Sequence, residues 1–107
     1  MTRKERILLG LIKGRAREVV PSGAKVYLYG SRARGEARED SDWDILILVD
    51  KPRVELSDYD ELSYPLTSLG WEHGAMIIPI LYTKKEWDHP ASLLFRHNVE
   101  QDAILLV

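Results

Sequence analysis

The stretch Tyr29-Gly30-Ser31-Arg32-Ala33-Arg34-Gly35-Glu36-Ala37-Arg38-Glu39-Asp40-Ser41-Asp42-Trp43-Asp44-Ile45-Leu46 decides the reading of this chain. It begins at the end of an alternating segment, Lys25 to Tyr29. There Val26 and Leu28 share one face and Tyr27 and Tyr29 the other, as in a strand. Gly30 breaks the alternation. Ser31 to about Glu36 reads as a short helix, and a polar loop runs on through Ser41. Asp42 to Val49 is the clearest strand of the chain. Asp42, Asp44, Leu46 and Leu48 point one way, and Trp43, Ile45, Ile47 and Val49 the other, because side chains alternate along a strand. Both faces are apolar after Asp44, so this strand is expected to be central, with layers on both sides.

Each part of the stretch has a chemical reason. A glycine at the end of a strand lets the backbone turn and approach a ligand closely. Ser31 then opens a helix, whose first amides lack partners and suit phosphate. Its hydroxyl is a further donor. Asp42 and Asp44 present two carboxylates on one side of a strand. Such a pair repels itself, and a divalent cation relieves the repulsion. Magnesium takes hard oxygen ligands and completes its shell with water and substrate phosphates. Gly-Ser alone is merely a turn, and Asp-x-Asp alone is more often a solvated strand end. The ordered combination points to a nucleoside triphosphate held with Mg2+. Arg32 and Arg34 follow the turn. A guanidinium suits phosphate oxygens, so Arg32 joins the nucleotide-binding set with Gly30 and Ser31, weighed evenly against a solvent-facing role. Arg34 reads as a solvent-facing helix residue.

The flanks extend the α/β pattern. Arg3 to Val20 is expected to be an amphipathic helix, with Ile7, Leu8, Leu11, Ile12, Ala16, Val19 and Val20 as its apolar set. Pro21-Ser22-Gly23 stops it. Glu55 to Leu69 is expected to be a helix buried through Leu56, Tyr59, Leu62, Leu66 and Leu69, bent or restarted at Pro65. Ala75 to Tyr82 reads as a third strand, and Pro79 argues for an edge position or a bulge. Thr83-Lys84-Lys85-Glu86 resembles a capping box. A last helix spans Ser92 to about Gln101, and Ala103 to Val107 is an apolar tail that can pair or pack. The expected fold class is α/β (α+β), a small mixed sheet flanked by helices, in one domain over residues 1–107.

Bulk properties narrow the function. The chain has 107 residues, is 45% hydrophobic and carries a formal charge of −2. Near-balance argues against binding nucleic acid by electrostatics. The charge is uneven, with a basic first third and a mostly acidic Glu39–Glu72 stretch; on charge alone this reads as two solvated faces. The absence of cysteine excludes disulfides, thiolate metal sites and a cysteine nucleophile. No apolar run reaches membrane-spanning length, and a cytoplasmic protein is the expectation. His73, His89 and His97 show no metal-ligand spacing. Trp43, Trp71 and Trp87 read as core or interface anchors. Ser22 and Ser31 have no His/Asp constellation around them, so serine hydrolysis has no support.

The stretch from Tyr29 to Leu46 closely resembles the signature of minimal nucleotidyltransferases of the DNA polymerase β-like superfamily. The motif spans about twenty residues, and the order of elements resembles the family across nearly the whole chain. The resemblance implies transfer of a nucleoside monophosphate to a hydroxyl with release of pyrophosphate. It implies phosphate binding at Gly30 and Ser31, and Asp42 and Asp44 as the catalytic, magnesium-binding pair. Small members look like antitoxins that pair with a HEPN-type ribonuclease and adenylylate a tyrosine on it; related members modify drugs. Active members usually carry a third Asp on the next strand. Gly74 to Leu81 contains no acid, and the equivalent position falls at Met76 or its neighbours. Glu72, just before the strand, reaches in only if the register shifts. Loss of that acid implies weaker metal binding and slower catalysis, leaving a binding module as the alternative reading. A homodimer is the default assembly, with Leu93, Leu94 and Phe95 or the tail from Ile104 to Val107 as apolar contact surface or as core.

Overall fold

The computed structural model describes residues Met1–Val107. Helix α1 (Arg3–Val19) leads into β1 (Lys25–Tyr29), the one-turn helix α2 (Ser31–Arg34) and β2 (Trp43–Val49). Next come α3 (Leu56–Asp58), a π-helical turn (Tyr59–Ser63), α4 (Tyr64–Glu72) and β3 (Ile77–Thr83). The chain closes with α5 (Lys84–Asp88), a 3-10 turn (Pro90–Ser92), α6 (Leu93–Glu100) and β4 (Ile104–Leu105). The sheet order is β3-β2-β1-β4. β2 runs antiparallel to β1 and parallel to β3, so the sheet is mixed, and the tail pairs antiparallel with the far side of β1.

The two-faced reading of β2 holds. Trp43, Ile45, Ile47 and Val49 are buried in one core with Leu8, Ile12 and Ala16 of α1 and Leu62, Leu66 and Leu69 of the second helical layer. Leu46 and Leu48 are buried on the other face with Tyr29, Trp87 and Val99. Three layers follow: α1 and α4, then the sheet, then α5 and α6. Phe95 fills the centre of the last layer, edge-on to Tyr29 at 5.7 Å and to Trp87 at 5.7 Å between ring centroids. Edge-to-face contact suits the ring quadrupoles.

α1 begins where its capping chemistry says it should. The Thr2 hydroxyl accepts from the Glu5 amide at 3.1 Å, and the Glu5 carboxylate accepts from the Thr2 amide at 2.9 Å. This reciprocal box satisfies two donors that a helix start otherwise strands. Thr83 and Glu86 form the same box at α5, as the sequence led one to expect. The apolar set of α1 is narrower than its periodicity suggested: Ile7 and Leu11 are exposed.

The segment after β2 departs most from expectation. A single helix from Glu55 to Leu69 is replaced by α3, the π turn and α4. Proline at position 65 has no amide to give the preceding turn and crowds it. The π turn ends with the Tyr64 amide bonded back to the Tyr59 carbonyl, which admits the extra residue just ahead of that proline. The insertion rotates the upstream residues off the core stripe. Leu56 and Tyr59 are therefore exposed instead of buried, while Asp58 turns inward. Its carboxylate accepts from the Glu55 amide at 2.7 Å and from Lys51 Nζ at 3.0 Å. The strands shift slightly: β2 pairs from Trp43, with Asp42 just ahead of it, and β3 covers 77–83. β3 is an edge strand, as Pro79 required.

Candidate active site at the start of the second strand

The antiparallel register between β1 and β2 puts Tyr29 opposite Asp44. Gly30 therefore leaves the sheet directly beside the Asp44 carboxylate. Its backbone lies at φ 75° and ψ −158°, a region open essentially to glycine alone. A β-carbon built there would collide with Asp44 Oδ2. So Gly30 meets two demands at once, a conformation and a contact distance, and the second ties the turn to the aspartate.

α2 follows for one turn and ends at Gly35 in the left-handed conformation, φ 75° and ψ 19°. A helix of four residues adds little macrodipole, since that field comes from aligned peptides. Any anion held here depends on the first amides and on the Ser31 hydroxyl. Ser31 is half-buried at that opening.

Asp42 and Asp44 share the face of β2 that carries Leu46 and Leu48. Asp42 is exposed and Asp44 half-buried. Burial lifts the Asp44 carboxyl above its ordinary range; the Asp42 charge lifts it further, and Arg34 pulls the other way. Tyr29, across the strand pair, is pushed up to about 12, by burial first and then by Asp44 and Tyr82. A half-buried carboxylate with a like charge beside it gains from a cation. Two same-face carboxylates next to an exposed opening offer part of a magnesium shell, with the remaining positions left for water and phosphate oxygens. The donor set thus fits the ion, as a minimal set. No group of three acids or histidines assembles anywhere in the chain.

The register explains the shortfall. Asp44 lies level with Ile78 on β3, so the neighbouring same-face position is aliphatic. Met76, one step earlier on that face, is exposed, and its carbonyl accepts from the Trp43 amide at 2.8 Å. Glu72 gives no rescue. It ends α4, which packs on the opposite face of the sheet from Asp44.

Arg34 is exposed, as the sequence suggested, whereas Arg32 is neither free for a phosphate nor solvent-facing. Arg32 is buried, at 6% exposure, and its guanidinium is committed to structure. It pairs with Glu5 at 3.2 Å, donates to the carbonyls of Glu39 at 3.1 Å and Ser41 at 2.8 Å, and lies over the Trp43 ring at 4.7 Å. It clamps the loop that delivers Asp42; those contacts leave it no free face toward the Gly30-Ser31 turn. Arg34 is the cation whose charge reaches Asp44. It pairs with Glu36 at 3.2 Å and with Asp102 at 3.5 Å. Asp102 joins the site only through its long-range pair with Arg34, and no local motif announced it; Tyr29, which opens the motif, meets Asp44 across the strands. The three histidines are exposed, and Trp43 and Trp87 are core residues. Trp71 is exposed, edge-on to Tyr64 at 6.1 Å.

Comparisons with known proteins identify the family and the fold. A Methanocaldococcus jannaschii protein described as a putative protein adenylyltransferase is 32% identical over 82 residues, 77% of this chain and 76% of that protein. A putative nucleotidyltransferase from Sulfolobus solfataricus superposes with a TM-score of 0.63 at 24% identity, over 95% of this chain and 81% of that one. A chain from the tri-AMPylated Shewanella oneidensis HEPN toxin in complex with MNT antitoxin superposes with a TM-score of 0.61 at 19% identity, over 96% and 71%. A toxin-antitoxin structure with AMP-PNP gives 0.61 at 19% identity, over 99% and 73%. These structural likenesses establish the fold. The family assignment rests on the sequence: the nucleotidyltransferase domain model matches residues 9–99, a span that includes Gly30, Asp42 and Asp44, and the chain belongs to that family.

Proposed function

We propose that the chain transfers AMP from Mg-ATP to a hydroxyl on a partner protein, with a HEPN-type helical toxin as the first candidate and an antitoxin role for this chain. The observation that carries the proposal is the contact between Gly30 and Asp44. It joins the Gly30-Ser31 turn to Asp44 at the start of β2, with Asp42 just ahead of the strand. In the reaction the acceptor oxygen bonds to the α-phosphorus, the bond from that phosphorus to the bridging oxygen breaks, and pyrophosphate leaves with the electron pair. Asp42 and Asp44 would hold magnesium, which neutralises phosphate charge as it develops. Ser31 and the first amides of α2 would hold phosphate oxygens. Arg32 holds the loop behind Asp42, and Arg34 moderates the charge at Asp44. Transfer by a two-acid site would be slow, because no third carboxylate stands near to take the hydroxyl proton.

A second reading has its own support. Ile78 occupies the position level with Asp44, and this favours a binding module that keeps the fold and contacts its partner without transfer. The two readings separate in one experiment. The chain is mixed with ATP, magnesium and a HEPN-type partner, and intact mass is followed. An added AMP on the partner, absent with Asp42→Ala/Asp44→Ala, supports transfer. Complex formation without added mass, unchanged by the double substitution, supports the module. Nucleotide binding alone is read as a thermal shift. At a hundredfold excess over the dissociation constant it should stabilise the native chain by about 2.7 kcal/mol. A cytoplasmic location and a homodimer belong to the same proposal; no helix of the chain is long and apolar enough to cross a membrane.

A further inference from the structure

A second concavity lies behind the sheet. A cavity of about 430 Å³ opens between the start of α1, the loop at Arg38 and Glu39, and the turn from His73 to Ala75. Trp43 forms part of its wall, and Trp43 faces away from Asp42 and Asp44. This cavity is therefore separate from the candidate active site.

Its lining is cationic. Lys4, Arg32, Arg38 and His73 line it, against the carboxylates of Glu5 and Glu39. Glu5 is already engaged by the Thr2 amide and by Arg32. Lys4 and Arg38 are exposed, and their side chains enter no ion pair. The 17-residue α1 starts at this cavity. Its box occupies the Glu5 amide, and the Arg6 amide bonds to the Thr2 carbonyl. The amides of Arg3 and Lys4 are the remaining first-turn donors. Arg32 is more than nine-tenths buried in the cavity wall, and its Nε is sealed from solvent with no acceptor.

We propose that this cavity binds an oxyanion, a phosphate or carboxylate group carried on a compact organic molecule. The anion meets Lys4 and Arg38 beside the α1 amides, with Arg32 in the wall behind them, and the body of the molecule lies against Leu8 and Ala75. Arg32 also holds the carbonyls of Glu39 and Ser41, which lead directly into Asp42. An occupant would thus stiffen the loop that presents the carboxylate pair, from the far side of the sheet.

The test is a nitrogen-15 NMR titration of the whole chain, following the Arg32 Nε–H and Trp43 indole signals. Inorganic phosphate and citrate are the probes, used separately. A saturable shift of the Arg32 signal is expected with at least one. Phosphate alone identifies a phosphorylated ligand, and citrate alone a carboxylate. Lys4→Ala/Arg38→Ala changes two exposed side chains, leaves the fold intact and should weaken binding at least about tenfold, as loss of charge-assisted bonds requires. Ser31→Ala should leave the shift in place, which separates this cavity from the Gly30-Ser31 turn. No shift with either probe, a shift that survives Lys4→Ala/Arg38→Ala, or one that disappears with Ser31→Ala overturns the proposal.

Discussion

Replacing Gly30 with alanine tests whether the turn and the carboxylate form one unit. The backbone at φ 75° and ψ −158° costs a non-glycine residue about 1–3 kcal/mol. The new methyl also meets the Asp44 carboxylate. The Asp44 Cγ lies close to the added methyl as well as Oδ2, so relief requires the whole carboxylate to turn. For a chain of 107 residues, the backbone term alone lowers the melting temperature by roughly 5–15 °C. Urea unfolding of four proteins separates the two causes: native, Gly30→Ala, Asp44→Ala and the double variant. The backbone cost persists in all alanine-30 proteins, whereas the collision disappears with the carboxylate. Gly30→Ala should therefore cost less in the Asp44→Ala background, by a coupling on the order of 0.5–3 kcal/mol. Equal penalties with and without Asp44 would refute the contact argument. A Gly30→Ala protein as stable as the native one would refute the conformational argument too.

Three other outcomes follow from the same geometry. The Asp44 carboxyl is held above its usual 3.8, by burial and then by Asp42, so the native state binds its proton more readily than the unfolded chain. Stability contributed at this site falls as pH rises from the unfolded value through the higher folded one, and the penalty is complete above it; Asp44→Asn should remove that slope in urea titrations across the acid range and be the more stable protein at neutral pH. Ile78→Asp places a carboxylate level with Asp44 and should strengthen the magnesium dependence of the ATP-induced thermal shift; an unchanged dependence would show that this position does not face the ion. Asp58→Ala removes the acceptor of the Glu55 amide and the partner of Lys51, and should lower stability by about 1 kcal/mol, with nucleotide binding untouched.

The features legible in the sequence are the local ones. Alternation along β2 is a local property, so the face that Asp44 shares with Leu46 and Leu48 could be read without knowing what lay across from it. Pro79 declared an edge because its missing donor is also local. The fate of Arg32 was not local. Its partners lie 27 residues back at Glu5 and several residues ahead at Glu39 and Ser41, and a guanidinium near a phosphate turn looks the same whether it faces a ligand or a loop. The exposed Leu56 and Tyr59 failed for another reason. A helical stripe presumes a fixed pitch, and the π turn ahead of Pro65 changes that pitch by one residue. Tyr29 meets Asp44 through strand pairing and Asp102 meets Arg34 through an ion pair, and a single sequence displays neither contact.

The proline in β3 also governs what the sheet can do with other chains. The Trp43 amide donates to the Met76 carbonyl, so in this parallel ladder the backbone of even-numbered residues turns toward β2 and the nitrogen of Pro79 turns outward. The outer rim of β3 therefore lacks a donor at its centre, where an incoming strand would need one. The other rim ends in β4, only two residues long. A chain whose central strand is almost wholly aliphatic would otherwise be prone to stacking edge to edge with its copies. Here neither rim offers a template long or complete enough to begin a fibre, so the proline in β3 helps keep a sticky core from recruiting its neighbours.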